Sequence, residues 1–206
     1  MGYRRRRKSV KRRYVAKRKY VPFSKKVRKT LMRMAETKYK DVIVNNASVQ
    51  SGSGSLQVSM FNAIPQGANN GQRIGQKIQA RNIRMRVQMS SNNITGIFMR
   101  ISLVRWKGLA QSPSVADLPA GVLNFWDEEL WDVKWTQTFN LGNADTDGRN
   151  KVMVRKSINI NSTLTFNDDG SGQEICKPYL IVMDSNDTVT PSPYAYGVFR
   201  VYYKDI

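Results

Sequence analysis

From residue 41 onward, apolar side chains recur at every second position, and this period limits the body of the chain to strands. Ile83, Met85, Val87 and Met89 alternate with Arg84, Arg86, Gln88 and Ser90. Such spacing puts one set of side chains on each face of a strand. Leu56, Val58 and Met60 repeat the pattern, as do Ile97, Met99, Ile101 and Leu103, then Val152 and Val154 with Ile158 and Ile160. Tyr179 to Met183 form a short continuous apolar run, and Phe199, Val201 and Tyr203 alternate near the end. Turn signals separate these segments: Pro65-Gln-Gly67, Asn69-Asn-Gly71, Asp147-Gly148, Asp168-Asp-Gly170 and Pro191-Ser-Pro193. No proline interrupts a predicted strand. The stretch from Ala110 to Asp132 breaks the rhythm and reads as a loop with a short helix near Ala116 or Trp126. Eight or nine strands with almost no helix predict an all-β body, a single eight-stranded antiparallel jelly roll.

A second feature sets the first 40 residues apart. Between Arg4 and Lys29 the chain carries fifteen Lys and Arg residues and no Asp or Glu. Residues 1–40 hold eighteen basic residues and one acid, Glu36, a net of +17 against +19 for the whole chain. Residues 41–206 therefore hold only +2. The chain divides into a basic arm, 1–40, and a nearly neutral body, 41–206. A like-charged run repels itself, so the arm is expected to be disordered, or partly helical where Val27, Leu31 and Met34 share one face. Its cations are the candidate nucleic-acid contacts: Arg4, Arg5, Arg6, Arg7, Lys8, Lys11, Arg12, Arg13, Lys17, Arg18, Lys19, Lys25, Lys26, Arg28 and Lys29. Each phosphate they neutralise releases a condensed counterion. Tyr3, Tyr14, Tyr20 and Phe23 are spaced among them and offer stacking surfaces for unpaired bases. Arg4 to Lys8 and Lys11 to Arg13 also read as nuclear localisation clusters, which makes the host nuclear import machinery an expected partner.

Composition excludes several kinds of chemistry. The chain has no histidine and one cysteine, Cys176. Histidine-based triads, histidine-ligated zinc and cysteine-cluster metal sites are ruled out. Gly71 to Gly75 lacks the Gly-Lys-Ser/Thr ending of a phosphate-binding loop and reads as a turn entering a strand. No cofactor, metal or enzymatic activity is expected. No apolar run approaches the ~18 residues needed to cross a bilayer, so no membrane insertion is expected. Asp127, Glu128, Glu129 and Asp132 lie beside Trp126, Trp131 and Trp135. That cluster fits calcium, the basic surface of a neighbouring subunit, or an exposed loop face. Arg84 and Arg86 share one strand face and Arg100 lies on the next segment, which makes the three candidate inner-wall contacts to nucleic acid.

One segment supports a more specific reading. Ile64-Pro-Gln-Gly-Ala-Asn-Asn-Gly-Gln-Arg-Ile-Gly-Gln-Lys-Ile78, followed by Gln-Ala-Arg-Asn-Ile-Arg-Met-Arg-Val87, resembles the capsid proteins of small circular Rep-encoding single-stranded DNA viruses. Their shells are in turn similar to those of satellite plant viruses. The later order is similar too: an aromatic strand to Asn140-Leu-Gly142, basic strands from Lys151, and a close on Phe199-Arg-Val-Tyr-Tyr-Lys-Asp205. The resemblance implies a jelly-roll shell wall and an arm inside the shell that binds single-stranded nucleic acid, DNA favoured over RNA. The partner in assembly is the chain itself, with about 60 copies in the simplest icosahedron. Sixty arms would bring on the order of 1,000 positive charges, comparable to the phosphates of a very small genome. The rival reading is a cellular nucleic-acid-binding protein, ribosomal or chromatin-like, which would carry further basic patches on the body.

Overall fold

The computed structural model describes residues 36–51, 55–62, 64–91, 96–108, 113–142, 150–166, 178–186 and 193–206, together with Phe23, Val27 and Thr30. Contacts divide the chain into two units, Met1–Met34 and Ala35–Ile206. In the first, Phe23, Val27 and Thr30 are helical and exposed. The other residues of the short helix expected there lie outside the described set, as does Cys176.

The second unit carries eight strands among its described residues: β1 (Lys38–Ser48), β2 (Leu56–Ser59), β3 (Lys77–Ser90), β4 (Ile97–Trp106), β5 (Trp131–Leu141), β6 (Lys151–Thr165), β7 (Tyr179–Ser185) and β8 (Tyr194–Asp205). They form two four-stranded sheets, ordered β1-β8-β3-β6 and β2-β7-β4-β5, with every pairing antiparallel. The pairs β1–β8, β2–β7, β3–β6 and β4–β5 are nested, as if one long hairpin were folded at β4–β5 and rolled up. That order is the jelly roll, and it follows from the pairing alone.

The alternating residues meet between the sheets. Ile78, Ala80, Ile83, Met85, Val87 and Met89 of β3 pack with Met99, Ile101 and Leu103 of β4, Ile181 and Met183 of β7, and Phe199, Val201 and Tyr203 of β8. Burial leaves the Tyr203 hydroxyl reluctant to ionise, which pushes its pKa up. Its hydroxyl donates to the Gln72 carbonyl at 3.1 Å. Two bulges adjust the ladder, between Val44 and Ala47 and between Ala80 and Asn82. Asn46 (φ 44°) and Asn161 (φ 49°) sit at these irregularities in the left-handed region, which asparagine tolerates better than most residues.

The Pro65–Gly75 segment enters β3 as a turn, held by Arg73 N–H to the Pro65 carbonyl and Gly67 N–H to the Arg73 carbonyl, both 2.9 Å. Arg73 is fully buried, donates to the Gly75 carbonyl and lies 4.7 Å from the Phe166 ring centre. Gly75 takes φ +78°, where a side chain is strained.

Gly197 marks the closest approach of β8 to β3. A Cβ there would stand 2.5 Å from the Arg86 carbonyl oxygen and 2.8 Å from Val87 Cα. Gly197→Ala is therefore expected to destabilise the body by about 1–3 kcal/mol through overpacking. Urea unfolding checks this, and a midpoint equal to wild type would show that the two strands can part at no cost.

The second sheet is also covered on its outer side. Residues 113–130 cross it as a loop with a 3-10 turn at Val115–Asp117. A second core forms there from Val104, Trp106, Leu118, Trp126, Trp131, Leu180 and Val182. Trp131 meets Trp106 and Trp126 edge-on at 4.9 and 5.2 Å, and its indole N–H donates to the Asp117 carbonyl at 2.8 Å. Of the two places expected to hold a short helix, only Ala116 has one, and Trp126 is instead a buried plug.

Candidate nucleic-acid interface

The loop covers β4 and β7 of the second sheet, whereas the outer face of β1-β8-β3-β6 is bare among the described residues. Register shows what crosses it. Asp41 of β1 pairs with Arg200 of β8, Arg200 with Arg84 of β3, and Arg84 with Ser157 of β6. One row along, Ile43 pairs with Val198, Val198 with Arg86, and Arg86 with Arg155. Four arginines thus lie in two adjacent rows, although the body as a whole is close to neutral. They border an open groove of about 660 Å³ that Tyr202 and Lys156 also line.

The groove has an aromatic floor at one end. Arg200 lies 4.3 Å from the Tyr39 ring centre and Arg84 lies 5.0 Å from that of Tyr202. The two rings are 6.3 Å apart and tilted by 49°. Asp41 is committed to Arg200: Nε and Nη2 donate to its two carboxylate oxygens at 2.6 and 2.7 Å. Arg84, Arg86 and Arg155 form no ion pair among the described residues. Cations beside flat rings suit phosphates and unpaired bases together.

The hydrogen bonds from Arg200 hold the Asp41 carboxyl below its ordinary range, and Asp41 in turn raises the guanidinium. A carboxyl lowered in the fold stabilises it above the unfolded value of about 3.9, and that contribution is lost as pH falls through the folded value. Asp41→Asn is expected to lower stability modestly above about pH 4 and to leave it unchanged at the acid end, so the acid limb of the variant is flatter. Unfolding midpoints from pH 3 to 7 test this, and an unchanged acid limb in the variant would refute it.

The structure separates the three arginines expected to share an inner wall. Arg84 and Arg86 are exposed on the bare face, two residues apart on β3. Arg100 is on β4 in the other sheet, with only 4% of its surface exposed. Its Nε and Nη2 donate to the Asp184 carboxylate at 3.2 and 2.5 Å, and Nη1 and Nη2 donate to the Asn124 and Gly121 carbonyls at 2.5 and 3.2 Å. The loop over the second sheet closes on it, so Arg100 works as a strut. The sequence reading missed Arg155, Arg200, Tyr39 and Tyr202. The outward parity of Arg155, Arg200 and Tyr202 on β6 and β8 was visible in the alternation, but their neighbours across the sheet were not, and Tyr39 was read as part of the arm.

All fifteen candidate cations from Arg4 to Lys29 lie outside the described residues. Among the described residues no group of three His, Cys, Asp or Glu side chains could hold a metal ion, and no helix is long and apolar enough to cross a membrane. Asp127, Glu128 and Glu129 are exposed on the covering loop, and Asp132 pairs with Lys134 at 2.6 Å.

Fold and face together define a jelly-roll protein with a basic, partly aromatic bare sheet. No family model and no curated protein matches the chain. Among solved structures it is similar to a chain from Desmodium yellow mottle tymovirus, with 11% identity over 83% of this chain and 87% of that one and a TM-score of 0.37. So loose a superposition carries no argument, and the fold assignment rests on the strand order.

Proposed function

We propose that the chain is the coat subunit of a small virus. Its jelly roll forms the shell wall, and its basic arm packages a single-stranded genome, DNA favoured over RNA. The observation that carries this reading is the union of a jelly-roll strand order with fifteen cations, no acid among them, ahead of β1. A sequence-specific reader needs a few fixed base contacts, whereas a long run of mixed Arg and Lys suits many loose phosphate contacts. Arg84 and Arg86 add genome contacts from the wall, joined by Arg155 and by stacking on Tyr202. Arg100 is withdrawn from that set because it is sealed against Asp184. Arg4 to Lys8 and Lys11 to Arg13 direct the subunit to the host nucleus, where the virion is assembled.

Expressing the chain alone, followed by electron microscopy and sedimentation, tests the proposal. The expected product is closed shells of uniform diameter, about 60 subunits each, that hold nuclease-protected nucleic acid. Nothing but monomers across salt and pH would overturn it. One observation favours the rival reading of a cellular nucleic-acid-binding protein, namely the basic patch on the body's bare sheet. That reading requires a stable monomer, so the same experiment separates the two.

A further inference from the structure

The five most exposed large apolar side chains of the two sandwich faces fall into two groups among the body's described residues. The first is on the loop covering the second sheet, where Leu123 and Phe125 are 69% and 97% exposed. The second is on the bare sheet, where Ile43, Tyr196 and Met153 are 61%, 56% and 51% exposed. Register joins the second group into a patch. Ile43 pairs with Val198, while Tyr196 and Met153 both pair with Gln88. The patch lies at the other end of the sheet from the Tyr39–Tyr202 floor and is edged by Arg86 and Arg155.

The loop does not trail freely at Phe125. Arg100 grips the carbonyls of Gly121 and Asn124 on one side, and Trp126 is buried against Trp131 on the other. A ring between two anchored residues and pointing outward is a preorganised knob. Asp127, Glu128 and Glu129 follow it and give the knob a negative edge. The patch on the bare sheet has a positive edge. Shape class and charge therefore match, but the two surfaces lie on opposite faces of the sandwich, so one chain cannot bring them together. Contact between copies is head-to-tail, the arrangement that closes into rings when the rotation allows.

We propose that the Leu123–Phe125 knob of one copy docks on the Ile43–Tyr196–Met153 patch of the next. The contact rests on the shell reading, since it names a second copy as the occupant. It leaves Arg84 and Tyr202 open to nucleic acid.

The test uses the full chain with a single-stranded oligonucleotide present, followed by sedimentation and electron microscopy. Phe125→Ser is expected to raise the concentration needed for assembly at least about tenfold, because exposed aromatic anchors dominate such contacts. Its melting point should be unchanged, since the side chain touches solvent. Leu123→Ser is a second, independent variant of the knob. The Glu128→Lys/Glu129→Lys pair and Arg155→Glu should each weaken assembly, while a chain carrying all three substitutions should recover it. Oligonucleotide retention, set mainly by the arm, serves as the control for the Phe125 and Leu123 variants. If wild type forms shells and the knob variants form them equally well, the contact is wrong and the shell reading stands. Failure of the triple variant to recover assembly would overturn the docking patch. Monomers alone from wild type would overturn both.

Discussion

Replacing the fifteen cations between Arg4 and Lys29 by serine and glutamine will all but abolish tight binding to single-stranded DNA. If ten of the fifteen engage phosphates, log K should fall with log salt at a slope of about −7, or roughly 10⁴-fold between 50 and 200 mM. The neutral-arm chain keeps the arginines of the bare sheet. Three contacts there give a slope of about −2 and a loss of roughly 16-fold over the same range. Titration of a labelled oligonucleotide at several salt concentrations reads both slopes. Equal slopes would show that the arm does not carry the phosphate contacts. Adding Arg84→Ala and Arg86→Ala to the neutral-arm chain should reduce the remaining slope further.

Asp184→Asn will destabilise the body by about 3–5 kcal/mol, because it leaves the Arg100 guanidinium charged and buried without its counter-ion. A chain with both Arg100→Met and Asp184→Leu should recover most of that loss, since well-packed apolar pairs often replace buried ion pairs at little cost. Urea unfolding of the single and double variants measures this, and a single variant within about 0.5 kcal/mol of wild type would refute it. The double variant should still differ in one respect. It lacks the donors to the Gly121 and Asn124 carbonyls, so hydrogen exchange in residues 121–126 should speed up even where global stability returns.

The pH signature of this pair has the opposite sign to that of Asp41. Burial pushes the Asp184 carboxyl above its ordinary value despite the pull of Arg100. A carboxyl raised in the fold favours folding below about pH 3.9, and that contribution is lost as pH rises through the folded value.

Arg100 also shows where sequence reading reaches its limit. Its neighbours Met99 and Ile101 point into the core, so it lies on the outer face of β4 and not on a wall shared with Arg84 and Arg86. Alternation says nothing of what covers that face. The cover comes from residues 113–130, part of the stretch whose rhythm was broken and whose path no local pattern revealed. The same cover explains β7. Tyr179 to Met183 read as a continuous apolar run because the strand is buried on both sides, between the main core and the second core. Fold class was legible because eight strands with period two leave few architectures. The charge of the arm was legible because it is a matter of composition. The rows across the bare sheet were not, because Arg84 and Arg200 are 116 residues apart and only register brings them side by side.

The nested pairing also has a consequence for the order of folding. β1 bonds only to β8, with Lys38 opposite Tyr203, and β8 then lies between β1 and β3 in the sheet. During synthesis β1 emerges early and waits, unpaired, until residues 194–205 have been made. Such long-range pairing is slow to form because loop closure precedes any return from contact. A chain that stops before Tyr194 would lose an interior strand of the bare sheet and leave β1 without a partner. It would therefore present neither the Arg84–Tyr202 groove nor the Ile43–Tyr196 patch. On the proposed contact, such a fragment would offer a second copy no patch to dock on. Under the proposed docking, the topology works as a completeness check on each copy.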